Sequence, residues 1–323
     1  MTFKLATGIG LWMAAASAAV AGQQPGTSTR TAIVRTDVSG GVASSRRLEI
    51  RTADARGEVL TEIIETADID GRFTPSAETV TEIVRSPSGA VLVNRELFGF
   101  DLEHRRVLVE ATRSDETTVP GGTTTIVENT WVPDINGRLT LTARQIHHIQ
   151  STSAGIRETD TDVMVPGINE PLQQSAAVRR TERQAGSDVV RRDSTLFVRD
   201  VNGRLQPTEM RNQEVRSVGS DYVEEESVRR LDVNGDLVLA EKNVTRRSQV
   251  NGEDRTVVET FSRSAAGLIE SGHSIRLVRR TVETTRRLDA ARWQRDIQVF
   301  DVDVNGRLVL TARESEQHAQ QSP

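Results

Sequence analysis

The chain has 323 residues, 36% hydrophobic, 3% aromatic and 27% charged, with no cysteine and a formal net charge of -5. Zero cysteines exclude a disulfide framework, a thiolate metal site and a cysteine nucleophile. A count of 41 basic against 46 acidic residues argues against a general nucleic-acid binder, and the low apolar fraction makes any core thin.

Met1 to Ala21 carries a positive region ending at Lys4, an apolar stretch from Leu5 to Val20, and small residues Ala19 and Ala21 on either side of Val20. This is the pattern of a secretory signal peptide cleaved before Gly22. The run is short for a span and holds Thr7, Gly8, Gly10 and Ser17, which favours a leader over an anchor. Residues 22–31 read as a polar, flexible linker, 32–313 as the folded region and 314–323 as a disordered tail. No later stretch is long and apolar enough to cross a bilayer as a helix. The expectation is an exported protein, periplasmic or extracellular, with no integral membrane span after signal cleavage.

Within 32–313 the dominant signal is self-similarity. Gly137-Arg138-Leu139-Thr140-Leu141-Thr142-Ala143-Arg144 recurs as Gly306-Arg307-Leu308-Val309-Leu310-Thr311-Ala312-Arg313, with one change in eight positions. Both follow Asp-x-Asn, and the same opening stands at Asp200-Val201-Asn202-Gly203, at Asp232-Val233-Asn234-Gly235 and, more loosely, at Asp68-Ile69-Asp70-Gly71. The successive glycines Gly137, Gly203, Gly235 and Gly306 are 66, 32 and 71 residues apart, so the unit is about 34 residues, a length that signals a tandem array. Gly167 and Gly267 fall near the two missing positions.

Asn-Gly between apolar residues is a hairpin signal, since both residues tolerate positive φ. Leu139 and Leu141, Leu237 and Leu239, and Leu308 and Leu310 then follow with period two, the spacing of one strand face. Looser clusters, among them Ser153-Ala154-Gly155, Gly186-Ser187-Asp188 and Asn251-Gly252-Glu253, turn the chain at the opposite edge. Two turns of about four residues leave strands of roughly 12 to 13 residues, longer than is usual. The predicted fold is all-β, with tandem antiparallel hairpins forming one extended or spiralling sheet.

The Asp-x-x-Gly-Arg-Leu cores at Asp134, Asp200 and Asp303 resemble the turn of the YD repeats of Rhs-type bacterial proteins. Tandem hairpins in that family build a large spiralling β-shell, so the resemblance implies a stacked-hairpin architecture here.

Chemistry-bearing motifs are sparse. Asp301-x-Asp303-x-Asn305-Gly306 matches the opening of a calcium loop, but Ala312 stands where the bidentate glutamate belongs. Hairpin turns in which Asp and Asn bond their own backbone explain it better. His147 and His148, adjacent on a strand, point to opposite faces and cannot share a metal. Trp131, Trp293 and Tyr222 are the main aromatic platforms for stacking a sugar, with cross-strand packing as the plainer role. Eight Arg-Arg pairs, from Arg46-Arg47 to Arg286-Arg287, put one guanidinium on each strand face. An aligned set could meet an anionic envelope polymer, and glutamates such as Glu224, Glu225 and Glu226 could equally neutralise it. No Gly-x-Ser-x-Gly, Ser-x-x-Lys or His-Glu-x-x-His motif occurs.

The expected function is a non-enzymatic structural or binding scaffold of the cell envelope or outside the cell, with no cofactor. Its partner would be an anionic envelope polymer or another envelope protein, and no nucleic acid. Two alternatives stand beside it. One is an outer-membrane β-barrel, which strand length fits but 3% aromatics and charges on both faces oppose. The other is a hydrolase on a β-scaffold.

Overall fold

The computed structural model describes residues 26–321, apart from 39–40, 54–56, 69, 87–88, 120–121, 153–154, 168–171, 220, 251, 264–274 and 290–291. The expected leader, 1–21, lies outside the described residues. Eighteen strands follow one another: β1 (Gly26–Val38), β2 (Gly41–Ala53), β3 (Gly57–Ala67), β4 (Phe73–Arg85), β5 (Val91–Phe100) and β6 (Arg106–Thr118). The chain continues through β7 (Thr123–Pro133), β8 (Leu139–Ser151), β9 (Ile156–Val165), β10 (Gln173–Gln184), β11 (Val189–Arg199) and β12 (Leu205–Val218). It closes with β13 (Asp221–Leu231), β14 (Leu237–Val250), β15 (Glu253–Ser262), β16 (Arg276–Arg287), β17 (Arg292–Val302) and β18 (Leu308–Gln321). Threonine, valine and alternating charge hold these segments extended, because branched side chains suit the pleated backbone.

Each strand pairs antiparallel with its neighbours in sequence. The first strand also pairs with the last, through nine residue pairs from Thr29 with Gln321 to Asp37 with Arg313. The hairpin array is therefore neither extended nor spiralling: its two edges meet and the sheet closes. The same pairing corrects both terminal expectations, since β1 takes in residues 26–31 of the expected linker and β18 takes in 314–321 of the expected tail.

The turns after β3, β5, β7, β11, β13 and β17 share one geometry. In the turn at Asp134, the Asp134 carbonyl accepts from the Gly137 N–H at 2.9 Å, and the Asp134 N–H donates to the Arg138 carbonyl at 2.8 Å. The Asp134 Oδ1 accepts from the backbone N–H groups of Asn136 (2.8 Å) and Arg138 (2.9 Å). Asp68, Asp101, Asp200, Asp232 and Asp303 do the same two and four residues on. These N–H bonds hold the Asp101 and Asp232 carboxyls below the ordinary carboxylate range, the fourth-residue N–H contributing most in each. The Asp101 turn has no glycine. His104 takes the positive-φ place there, at 60°, where Gly137 has 77°, and so one unit escapes a search for glycine spacing.

The unit has a second fixed part. Every hairpin that turns at this end, from β3–β4 to β17–β18, carries one register shift, a β-bulge. In five of them the extra residue is Ser76, Thr142, Ser175, Thr208 or Thr311, and its hydroxyl donates to a carbonyl on the partner strand: Ile64, Thr130, Val163, Leu196 and Val299, at 3.0–3.3 Å. This is why the octet recurs. Its sixth residue ties down the carbonyl that a bulge leaves out of the ladder.

Two expected outcomes follow from these turns. Gly137→Ala lowers stability by about 1–2 kcal/mol, the cost of left-handed backbone for a residue with a Cβ, whereas His104→Gly lowers nothing. A thermal melt in which both variants fall equally would show that φ is not what the turn demands. Thr142→Val loses one side-chain hydrogen bond and about 0.5–1 kcal/mol, while Val109→Ala, at a bulge with no hydroxyl, loses less.

Candidate functional site

Strand alternation, carried across the sheet by the register, sorts the side chains into two faces. Of the eight buried described residues, six share one face: Ile149, Thr159, Thr161, Val215, Val228 and Glu316. Only Ala177 and Val244 lie on the other. Side chains crowd on the concave side of a closed sheet, so the first face is the inner one.

The inner face is polar and internally paired. Arg192 donates from Nε to Glu182 at 2.6 Å and from Nη1 to Gln213 Oε1 at 3.3 Å. Gln213 and the Tyr222 hydroxyl both donate to Glu224, and Arg247 lies over the Tyr222 ring at 5.2 Å. Arg211 reaches Glu209 at 2.6 Å and Glu226 at 3.4 Å, and Arg230 reaches Glu209 at 2.8 Å. Arg295 spans Glu283 (2.8 Å) and Glu316 (3.3 Å). Across β7–β9 the same face is quieter, with Ile126, Ile149, Thr159 and Thr161 beside His147, whose Nδ1 bonds the Thr161 hydroxyl at 2.8 Å. Such a lining hydrates and orients polar solutes, and it scatters its charge around the wall.

The outer face is divided along the barrel axis. Phe73, Phe98, Phe100, Trp131, Phe197, Phe261 and Phe300 all lie on it, close to the Asp-x-x-Gly turns. Phe98, Trp131, Phe197 and Phe300 each stand three residues before the turn aspartate, beside the bulge. Arginines cover three of the rings: Arg46 over Phe73 at 5.0 Å, Arg106 over Phe98 at 3.4 Å and Arg179 over Phe197 at 5.6 Å. So 3% aromatics suffices for one girdle, because seven of the nine described aromatic residues are spent at one level. The other two described ones, Tyr222 and Trp293, lie on the inner face at the opposite end. Aligning the turn aspartates would have exposed this third-residue signal, which a composition figure hides.

The sequence-predicted residues do not form one site. Asp301 lies on β17, where it accepts from Arg279 (2.7 Å) and the Thr311 hydroxyl (2.7 Å). The Asp303 Oδ1 is taken by the N–H groups of Asn305 and Arg307, both at 2.8 Å. No group of three His, Asp or Glu able to hold a metal occurs among the described residues. His147 and His148 do face opposite sides, the second toward Thr125 at 3.3 Å. The arginine pairs divide as expected, Arg191 outward and Arg192 inward, Arg279 inward and Arg280 outward, and glutamates and aspartates intervene in each case.

No family model and no curated protein matches the sequence. The fold has counterparts among solved structures. A mutant of Rh. blastica porin gives a TM-score of 0.54 at 8% identity, over 92% of this chain and 100% of that one. Pseudomonas aeruginosa OpdK with vanillate gives 0.58 at 9% identity, over 91% and 98%. Pseudomonas aeruginosa OccK2 (OpdF) in complex with glucuronate gives 0.53 at 8%, over 91% and 96%. These neighbours correct two expectations. The turns are not those of a YD-repeat shell, because the hairpins close into a porin-like barrel. The expectation of no integral membrane span falls with it: no helix of the described residues is long and apolar enough to cross a bilayer, but a closed barrel crosses with strands. The architecture is that of the bacterial porins.

Proposed function

We propose that the protein is a non-enzymatic outer-membrane β-barrel whose polar inner wall passes or holds small hydrophilic solutes. The closure of the sheet by β1 and β18 carries this reading, because a wall without edges is what lets a β-structure sit in lipid. An even strand number and one aromatic girdle on the outer face support it. The envelope-scaffold reading explains the repeats, but gives no reason for the ring of Phe and Trp at one level.

Reconstitution into planar bilayers tests it. Stepwise conductance is expected, together with a folded band that shifts on boiling in detergent gels; recovery of the native protein wholly in a soluble periplasmic fraction would overturn the reading. Adjacent arginines separate the two faces. Arg192→Glu, on the inner wall, moves the reversal potential toward cation preference, and Arg191→Glu, on the outer wall, leaves it where it was. Equal shifts from both would mean that the wall facing the solute has been assigned wrongly.

A further inference from the structure

The turns at the aspartate end carry a feature that neither closing the wall nor passing a solute requires. The residue after each turn aspartate makes none of the bonds that fix the turn, which run from the aspartate to the second, third and fourth residues on. A polar residue would serve there at no cost. Yet the chain places an aliphatic one in all six turns: Ile69, Leu102, Ile135, Val201, Val233 and Val304. Ile69 lies outside the described residues, and the other five are fully exposed.

All six turns follow odd-numbered strands, so they stand on one rim of the barrel. At the other rim no described aliphatic side chain is fully exposed, the most exposed being Val119 at the end of β6. Single apolar residues on a surface are ordinary, but a ring of them marks an interaction site. Five such tips offer roughly 300–600 Å² of apolar surface, a large part of the about 800 Å² per partner that a stable contact hides.

What the tips meet follows from the order of residues in the turn. Going round the rim in chain direction, five of the six turns present the aspartate, then the aliphatic tip, then an arginine: Arg72, Arg105, Arg138, Arg204 or Arg307. The Asp232 turn departs from this, with Asp236 in the arginine's place. Arg105 is held by Asp101 and Glu103 of its own turn, at 2.8 and 3.0 Å, but Arg138, Arg204 and Arg307 are exposed and enter no ion pair among the described residues. A second rim turned over to face the first presents the same groups in reverse order. Tip then meets tip while aspartate comes opposite arginine, at turn after turn. A lipid surface would cover the tips and leave this alternation of charge unanswered.

We propose that this rim docks on the same rim of a second copy of this chain, two barrels meeting end to end about a two-fold axis so that their lumens line up. The idea rests on the barrel reading above. The contact is isologous and closes at two copies, and it joins barrels in two apposed membranes instead of neighbours in one. Backbone bonds hold the turns in shape before any contact, which lowers the ordering cost of binding. The two longest connections, after β9 and β15, leave from the same end, the end that faces outward in bacterial barrels.

Barrels of the full chain inserted singly in lipid nanodiscs test it. The discs are expected to pair face to face, doubling in mass in sedimentation as their concentration rises. Ile135→Asp with Val201→Asp and Val304→Asp should weaken pairing at least tenfold, and Arg138→Glu with Arg204→Glu and Arg307→Glu should do the same with every tip in place. Val119→Asp, on the opposite rim, should change nothing. Because the chain has no cysteine, Leu102→Cys, Ile135→Cys, Val201→Cys, Val233→Cys and Val304→Cys together should give, on mild oxidation, a linked dimer that bridges two discs and nothing larger. Conductance and boiling-shifted mobility report that each variant is a folded barrel. Folded, conducting discs that stay single at every concentration and give no linked dimer would overturn the inference and leave the barrel reading standing, and so would discs that bind bare phosphatidylcholine vesicles as well as they bind one another. A protein that pairs through the tips but is wholly soluble would keep the interface and defeat the membrane reading.

Discussion

A wall one sheet thick has no second layer to pack against, so its backbone ladder has to do what a core does elsewhere. Only eight described residues are buried, and among them only Val228, at 1% exposure, is wholly withdrawn from solvent. What the structure depends on is that no strand is left with an unpaired edge. An open array of these hairpins would end in two rows of free N–H and C=O groups. Joining β1 to β18 removes both rows at once, and everything else in the molecule serves to bring those strands together.

Bulges are the device that brings them together. Each adds one residue to one strand, which bends that strand and sharpens its twist. Here they recur at one level in the eight hairpins from β3–β4 to β17–β18 that turn at the aspartate end, so the bending accumulates in one direction around the wall. The hydroxyls of Ser76, Thr142, Ser175, Thr208 and Thr311 keep the bulged backbone bonded. The aspartate turns fix where each strand must begin again. Turn, bulge and aromatic residue therefore form a single repeating joint, and the girdle at that level comes from the repeat itself.

Between the joints, the two faces are chemically alike. Arginine suits this place because its fork reaches acceptors on two neighbouring strands at once: Arg295 spans the carboxylates of Glu283 and Glu316, and Arg192 spans Glu182 and the Gln213 amide oxygen. Exposed pairs of this kind add little stability singly. Their consequence is for environment: a polar inner wall suits water and solutes.

Local structure was legible in the chain. The Asp-x-Asn-Gly turns, the opposite-edge clusters at Gly155, Gly186 and Gly252, the period-two leucines and the long strands all follow from residues within one unit, because turn geometry and alternation act over fewer than about 34 residues. Even the exception has a local cause, since histidine at position 104 hides a turn that its aspartate still marks. Closure was not legible. A unit reads the same in a spiral, an open sheet or a ring, and only the sum of bends over eighteen strands decides whether β1 meets β18. Nor could the sequence say which of two adjacent arginines faces inward. Alternation fixes that neighbours differ; curvature alone tells inside from outside, and curvature belongs to the assembled sheet.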